Sequence, residues 1–154
     1  MMFSARSLAL CNSSSPVAPN VCFVSSYNGS IARSTTGPGG LYTYISADIT
    51  GADSCGWLTP FVFDPATPDT MYAGCQAVWK STNRGSTWTS IGGFASGNPA
   101  NALCVAPSSP QTIYVGRESS VVERTTNGGG SWTNVTGNLP GGRDVNDLAV
   151  DPAN

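Results

Sequence analysis

A tandem repeat limits the possible folds of this chain more than any other feature of its sequence. Residues 61–88 return in recognisable form as residues 103–132, and Tyr72 recurs as Tyr114, 42 residues further on. A weaker copy precedes these two, and the start of another copy appears at Leu148. A fixed period of this length is typical of a chain built from successive copies of one supersecondary unit.

Each copy has the pattern of a β-sheet. Short runs rich in Val, Ile, Tyr, Phe and Trp alternate with clusters of Gly, Pro, Asn and Ser, which is the pattern of strands joined by turns. We predict four strands in each of three units. They lie near residues 22–26, 31–35, 42–46, 58–64, 71–75, 77–81, 88–91, 102–106, 113–117, 121–125, 132–135 and 146–151.

Four strands in a unit of about 42 to 45 residues match the blade of a β-propeller. The length of 154 residues allows one domain with a substantial core. We therefore expect a single all-β domain, residues 1–154, made of about three four-stranded antiparallel blades. The expected units are 22–70, 71–112 and 113–154, and residues 1–21 contribute a strand to a preceding or closing blade.

Paired prolines punctuate the repeat, since Pro65 and Pro68 recur as Pro107 and Pro110. A proline ring fixes φ and removes a backbone N–H, so a sheet ladder cannot continue through it. We expect these stretches to be turns between blades, in which Asp64 acts as a cap.

A second motif marks a turn later in each repeat. Residues 81–88, the first Asn turn, and residues 125–132, the second Asn turn, both read S/T-x-N-x-G-x-S/T-W. A short amide side chain can cap backbone N–H groups, and Gly supplies a positive φ. Residues 34–42 carry a degenerate version. The motif residues are Ser81, Asn83, Gly85 and Trp88 in the first Asn turn, and Thr125, Asn127, Gly129 and Trp132 in the second.

This motif resembles the Asp-box, or BNR repeat, with Asn in place of the usual Asp. The chain is similar to propeller blades of family 74 xyloglucanases, sortilin-type domains, photosystem II assembly factors and sialidases. The resemblance implies that Trp88 and Trp132 pack in the core beneath their hairpins. These families share the turn and not one function, so the resemblance indicates a fold.

Two other tryptophans are candidate ligand contacts. Trp57 lies in a loop before a predicted strand and could form an exposed stacking platform for a sugar ring. Trp79 stands where the next copy has Val122, so an aromatic core residue is not required there. Ordinary packing is the alternative for both side chains.

Catalysis by a histidine-dependent triad is excluded, because the chain has no histidine. A pair of carboxylates facing across a cleft could still hydrolyse a glycosidic bond. Two loops outside the predicted turns between blades are where we expect such a site, and these hold the candidate catalytic residues. The candidates are Asp48 and Asp53 in one loop and Asp144 and Asp147 in the other.

The resemblance does not strengthen the catalytic alternative. In family 74 enzymes the acids come from two facing propellers, and three blades lack that layout. The arginines of this chain do not stand in the pattern of the sialidase triad. Catalysis by this chain alone is therefore disfavoured.

Charge and cysteine content exclude several other functions. The net charge of −2 with a single lysine, Lys80, argues against a nucleic-acid partner, and no apolar run approaches the roughly 20 residues of a membrane span. Five cysteines form no CxxC pair, so we expect neither a metal site nor a cofactor. Cys11 and Cys22 flank a loop and could form a disulfide, or could remain buried thiols.

Three blades alone are too few to close a ring. We expect the missing surface to come from the remainder of a larger propeller or from identical chains in a homo-oligomer. The expected function is a non-catalytic, extracellular or cell-surface module that binds protein or carbohydrate. The alternative is a fragment or minimal form of a glycoside hydrolase.

Overall fold

A computed structural model describes residues 8–12, 20–93 and 97–151. Within these residues, twelve strands form three four-stranded antiparallel sheets in which each strand pairs with the next along the chain. The first sheet contains β1 (Leu8–Asn12), β2 (Val21–Ser25), β3 (Ile31–Ser34) and β4 (Thr43–Tyr44). The second contains β5 (Phe61–Phe63), β6 (Met71–Gly74), β7 (Ala77–Ser81) and β8 (Thr89–Gly93). The third contains β9 (Ala100–Val105), β10 (Ile113–Arg117), β11 (Val122–Thr125) and β12 (Thr133–Asn134).

Helical structure is minor in the described residues. One short helix, α1 (Ala47–Thr50), lies between the first and second sheets along the chain, and a 3-10 turn covers Glu118–Ser120. Neither is long enough to cross a membrane. The predicted fold class, an all-β array of three four-stranded antiparallel units, is confirmed.

The grouping of strands into sheets differs from the predicted grouping. Phe61–Phe63, expected as the last strand of one unit, pairs with Met71–Gly74 of the next, and Leu8–Asn12 pairs with Val21–Ser25 of its own sheet. The expectation that the proline stretches separate blades is therefore wrong, because residues 64–70 connect two strands of one sheet. A repeat of constant period does not specify which four successive strands share a sheet.

Residues 64–70 form the proline turn of the second sheet, and two acidic side chains stabilise it. Asp64 Oδ1 accepts the N–H groups of Ala66 and Thr67 at 2.8 and 3.1 Å, which is the capping role expected of Asp64. Asp69 forms an ion pair with Arg84, with 2.5 Å between Oδ1 and Nε. This pair joins the proline turn to the first Asn turn, at the same end of the sheet.

The hydrophobic core lies between successive sheets. Phe23 of the first sheet contacts Phe63 of the second edge-to-face, with ring centroids 5.2 Å apart. The first cluster consists of Val21, Phe23, Ile31, Ile49, Phe61, Met71, Ala73, Cys75, Trp79 and Trp88. The second cluster, between the second and third sheets, consists of Tyr72, Val78, Ala100, Leu103, Val105, Ile113 and Val115.

Antiparallel connectivity separates the loops into two groups. The proline turns and Asn turns lie at one end of the sheets, the turn end. The hairpins between second and third strands, and the connections from one sheet to the next, lie at the opposite end, the loop end. The longest connection between described strands, residues 45–60 between β4 and β5, lies at the loop end, which makes this end the place to look for a ligand site.

Cysteine pairing crosses the loop end. Cys55 and Cys75 form a disulfide, so the connection before β5 is fixed to the hairpin after β6.

Cys22 is also disulfide-bonded and stands opposite Cys11 in the β1–β2 ladder. The side chain of Cys11 lies outside the described residues. Cys104 is a free thiol.

Candidate ligand-binding site at the loop end

Two aromatic rings stack on each other at the loop end. Tyr27, from the β2–β3 hairpin, and Trp57, from the connection before β5, have centroids 5.9 Å apart and ring planes 23° apart. Both remain accessible, since Tyr27 is 54% exposed and Trp57 is 71% exposed. We call Tyr27 and Trp57 the aromatic pair.

The loops that carry the aromatic pair are fixed to each other. Asn28 N–H donates to Gly56 O at 3.2 Å, and Gly29 N–H donates to the buried Thr59 Oγ1 at 2.8 Å. Gly29 has a φ of +83°, and a Cβ there would lie 2.7 Å from Cys55 Sγ. A larger residue at position 29 would therefore separate the two loops.

Trp79 does not belong to this site, and its prediction as a ligand contact is wrong. The side chain is only 9% exposed and packs in the first core cluster. Its indole N–H donates to Asp53 Oδ2 at 2.9 Å. Burial leaves no ring face for a ligand. The strand registers place Glu123, and not Val122, at the equivalent position of the third sheet.

The carboxylates of Asp48 and Asp53 bind protein N–H groups. Asp53 Oδ2 accepts from Ala77 N–H at 2.8 Å as well as from the Trp79 indole. Asp48, in α1, accepts from Trp88 N–H at 2.9 Å. The structure thus places both acids as caps that hold the connection between the first two sheets against the second sheet.

Asp144 and Asp147 lie on a different part of the loop end. Both are exposed and line a cavity of about 310 Å³ together with Ser120 and Arg143. Ser120 has a φ of +65°, and its Oγ donates to Pro140 O at 2.5 Å. A non-glycine residue in this conformation is held there by its surroundings.

Arg117 is a buried charge that sequence reasoning did not single out. Its side chain is fully buried, and Nε lies 2.7 Å from Glu123 Oε2. Nη1 donates to the backbone oxygens of Cys75 and Asn98. Burial lowers the pKa of Arg117, while the neighbouring Glu123 carboxylate opposes that shift. The only sequence signal was an arginine at the position of Cys75 in the preceding copy.

The two Asn turns have the same hydrogen bonds. Asn83 Oδ1 accepts from Thr87 N–H at 2.9 Å, and Ser81 Oγ accepts from Gly85 N–H at 2.8 Å. In the second turn the corresponding bonds are 2.9 Å from Ser131 N–H to Asn127 Oδ1 and 2.9 Å from Gly129 N–H to Thr125 Oγ1. The motif residues therefore serve the backbone of their own turn.

Comparison with solved structures identifies the architecture. An ancestral GH74 enzyme superposes with a TM-score of 0.68 at 21% identity, over 88% of this chain and 20% of that chain. The GH74 enzyme of Niastella koreensis superposes with a TM-score of 0.61 at 23% identity, over 78% of this chain and 21% of that one. This chain thus spans about a fifth of their length.

The three sheets are β-propeller blades. Identities below 25% support this statement for the fold alone. No protein-family model matches the sequence, and no curated protein matches it.

The tryptophans of the Asn turns connect neighbouring blades. Trp88 Nε1–H donates to Ile45 O of the first blade at 2.7 Å, and Trp132 Nε1–H donates to Ile91 O of the second at 3.1 Å. Trp88 is 6% exposed in the first core cluster, whereas Trp132 is half-buried beside the second. Ile49 of α1 belongs to the same core cluster as Trp88, and Asp48 of α1 accepts the Trp88 backbone N–H.

Proposed function

We propose that this chain is a non-catalytic carbohydrate-binding module within a larger β-propeller. The aromatic pair carries the proposal. A sugar ring presents C–H groups on its faces, and an exposed aromatic ring offers an apolar surface of matching shape with polar atoms at its edge. Hydrogen bonds join the two loops to each other, and the Cys55–Cys75 disulfide fixes the connection before β5 to the hairpin after β6. These bonds hold the surface in place before a ligand binds, which lowers the entropic cost of binding.

The composition of the chain fits a neutral ligand. Charged residues make up 10% of the sequence, and the hydrogen bonds between the two loops of the aromatic pair involve no lysine or arginine. A phosphorylated or acidic ligand would need such groups. A neutral polysaccharide needs only stacking and hydroxyl contacts.

The test is an NMR titration with neutral oligosaccharides, namely cellohexaose and a xyloglucan oligosaccharide. The indole N–H signal of Trp57 should shift, while the signal of buried Trp79 should not. W57A should weaken binding roughly five- to tenfold, because an aromatic contact contributes about 1 kcal/mol. L41A is the matched control, since Leu41 is a fully exposed apolar residue outside this site. Equal affinities for W57A and L41A would contradict the proposal.

A second candidate function is glycoside hydrolysis by this chain as a minimal form of a glycoside hydrolase. The observation in its favour is the cavity of about 310 Å³ that the exposed Asp144 and Asp147 line. The test is release of reducing ends from xyloglucan by the purified chain, with D144N and D147N as variants. Our proposal expects no release. Release that either variant abolishes would favour hydrolysis.

Two further proposals concern the type of the Asn turns and the location of the protein. We assign the Asn turns to the Asp-box type, supported by the capping bonds of Asn83 and Asn127. We also propose an extracellular or cell-surface location, supported by the Cys55–Cys75 disulfide, because such bonds persist in oxidising compartments.

A further inference from the structure

We infer that the open face of the third blade docks a further blade of the same repeat, one that carries a complete Asn turn and uses residues 145–151 as its first strand. This inference rests on the proposal that the chain is part of a larger propeller. Its basis is a set of contacts found at both internal blade junctions. At each junction, one blade provides the residue that accepts the tryptophan and glycine of the Asn turn of the next blade. The third blade has a residue in the same position.

The receiving position is two residues after the start of the fourth strand of each blade. It is occupied by Ile45 just after β4, by Ile91 within β8 and by Val135 just after β12. Ile45 N–H donates to Ile31 O at 2.9 Å, and Val135 N–H donates to Val122 O at 2.8 Å. Val135 therefore continues its blade in the same register as Ile45. Since Ile45 O accepts the Trp88 indole at 2.7 Å, Val135 O is the corresponding acceptor for the tryptophan of a further Asn turn.

The glycine of an Asn turn also fits against this position. A Cβ on Gly85 would lie 2.3 Å from Ile45 Cδ1, and a Cβ on Gly129 would lie 2.7 Å from Ile91 Cβ. Both glycines have positive φ, at +79° and +100°. The close contact and the conformation together require glycine, so the docking partner is defined by glycine and tryptophan in one turn.

Arg124 supplies an independent observation. Arg33 stands opposite Thr43 in the first blade, and Arg124 stands opposite Thr133 in the third. Arg33 Nη1 donates to Arg84 O at 2.8 Å, within the first Asn turn of the neighbouring blade. Arg124 Nε is buried and has no hydrogen-bond partner in the described part of the chain. A buried donor of this kind indicates an acceptor still to be supplied.

Lys80 occupies the equivalent position in the second blade, opposite Thr89. Its ammonium lies 5.6 Å above the Tyr72 ring. The arginine contact is therefore a feature of the first junction, and Arg124 has the side chain needed to reproduce it.

Residues 145–151 already lie where a first strand belongs. Val145 N–H donates to Arg117 O at 3.0 Å, as Ala100 N–H, at the start of β9, donates to Cys75 O at 3.0 Å. The segment then passes over Tyr114 and Val122 of the third blade and leaves a cavity of about 410 Å³. Residues 145–150 form no ladder with a described strand, so a second strand can still pair with them.

A second copy of this chain fits the surface poorly. The first blade already has its four strands, so it would compete with residues 145–151 for one position. Its degenerate turn has Tyr42 in place of tryptophan and leaves Leu41 92% exposed. A blade that lacks a first strand and carries a complete Asn turn meets neither obstacle.

The test extends the chain by one blade. Residues 110–151 are appended after Asn154, so that residues 145–154 lead into Pro110 as residues 100–109 do. Hydrogen–deuterium exchange across 148–150 should be fast in the original chain and slow in the extended chain. The melting temperature should rise by roughly 4 °C or more. A control extension carries Trp→Ala in the appended copy of Trp132 and should lose most of that rise.

The R124Q substitution distinguishes stabilisation by docking of a further blade from a general effect of chain length on the melting temperature. It should leave the melting temperature of the original chain nearly unchanged, because Nε has no partner to lose, and lower that of the extended chain by a few degrees. Persistent fast exchange at 148–150, including the case in which the appended residues do not fold, would overturn the inference. An equal effect of R124Q in both chains would also overturn it.

Light scattering on the original chain checks the occupant. A discrete dimer with slow exchange at 148–150 would show that a second copy of this chain occupies the surface, and not a blade that lacks its first strand. This outcome would overturn the inference. Oligosaccharide titration of both chains is a separate readout, because the aromatic pair lies on the first blade and its connection to the second. Loss of sugar binding would therefore refute the proposed function without affecting the docking result.

Discussion

At the scale of single residues, polar side chains in this chain mainly satisfy backbone groups. Asp53 and Asp48, which sequence reasoning put forward for catalysis, accept N–H groups from the second blade. Asp64 and Asn83 do the same within their own turns. A chain rich in loops exposes many backbone donors, and short acidic and amide side chains are the acceptors that reach them.

The two inter-blade tryptophans should differ in their contribution to stability. W88A is expected to lower the free energy of unfolding by about 3 to 5 kcal/mol, because it empties a buried site and leaves Ile45 O without its indole donor. W132A should cost less, since Trp132 is only half-buried. Urea unfolding followed by circular dichroism measures both. An equal or larger loss for W132A would contradict the order of burial described for the two rings.

Tyr72 should make stability depend on alkaline pH. Burial, followed by the nearby Asp64 carboxylate, raises the pKa of Tyr72 from 10.0 to about 12. Between these values the unfolded chain releases a proton that the folded chain retains, so stability is full below pH 10 and falls as pH rises toward 12. The loss attributable to Tyr72 is about 2 kcal/mol. Unfolding free energies of the wild type and Y72F from pH 9 to 12 should diverge; parallel profiles would refute this assignment.

At the scale of elements, the Asn turn is the most regular part of the molecule. Both copies use the same capping bonds at 2.8 to 2.9 Å, although their middle residues differ. The turn geometry thus depends on the motif positions and not on the residues between them, as expected for a turn fixed by side-chain caps and a positive-φ glycine.

Because the two turns are equivalent, N83A and N127A should destabilise the chain by similar amounts, about 1 to 2 kcal/mol each. N83D should cost less than N83A, since a carboxylate still accepts the Thr87 N–H, although the donor to Thr87 Oγ1 is lost. Thermal unfolding of the three variants gives the comparison. An N83D variant as unstable as N83A would show that the capping oxygen is not the important atom.

At the scale of the whole molecule, neighbouring blades are joined by polar contacts as well as by apolar packing. Arg117 of the third blade reaches the backbone oxygen of Cys75 in the second, and its own carbonyl accepts Val145 N–H. Glu123 balances its charge at 2.7 Å. Arg117 therefore connects the third blade to the second through its side chain and to the following segment through its backbone carbonyl.

Removing only one member of the Arg117–Glu123 ion pair should lower the free energy of unfolding. R117M is expected to lower the free energy of unfolding by about 3 to 5 kcal/mol, because Glu123 would keep a poorly solvated charge. R117M/E123Q should recover part of that loss, since no unpaired carboxylate remains. Chemical denaturation of wild type, both single variants and the double variant completes the cycle. Strict additivity of the two substitutions would show that the ion pair has no coupling energy.

The repeat, the strand-rich composition of each copy and the two Asn turns were predictable from the sequence, because period and local turn chemistry are recorded in neighbouring residues. The sequence also indicated that Trp57 could be exposed, and the stacked arrangement with Tyr27 adds a partner 30 residues away. Trp79 was misjudged for a related reason: its ring packs in the first core cluster, and its indole N–H donates to Asp53, which lies 26 residues away along the chain.

Which strands share a sheet, and which surfaces are left open, could be established only from the folded structure. A constant period fits any choice of starting strand, and the choice was made by the pairing of Leu8–Asn12 with Val21–Ser25. The buried role of Arg117 and the unpartnered Nε of Arg124 likewise depend on contacts between blades. Such contacts join residues far apart along the chain, and a local pattern contains no record of them.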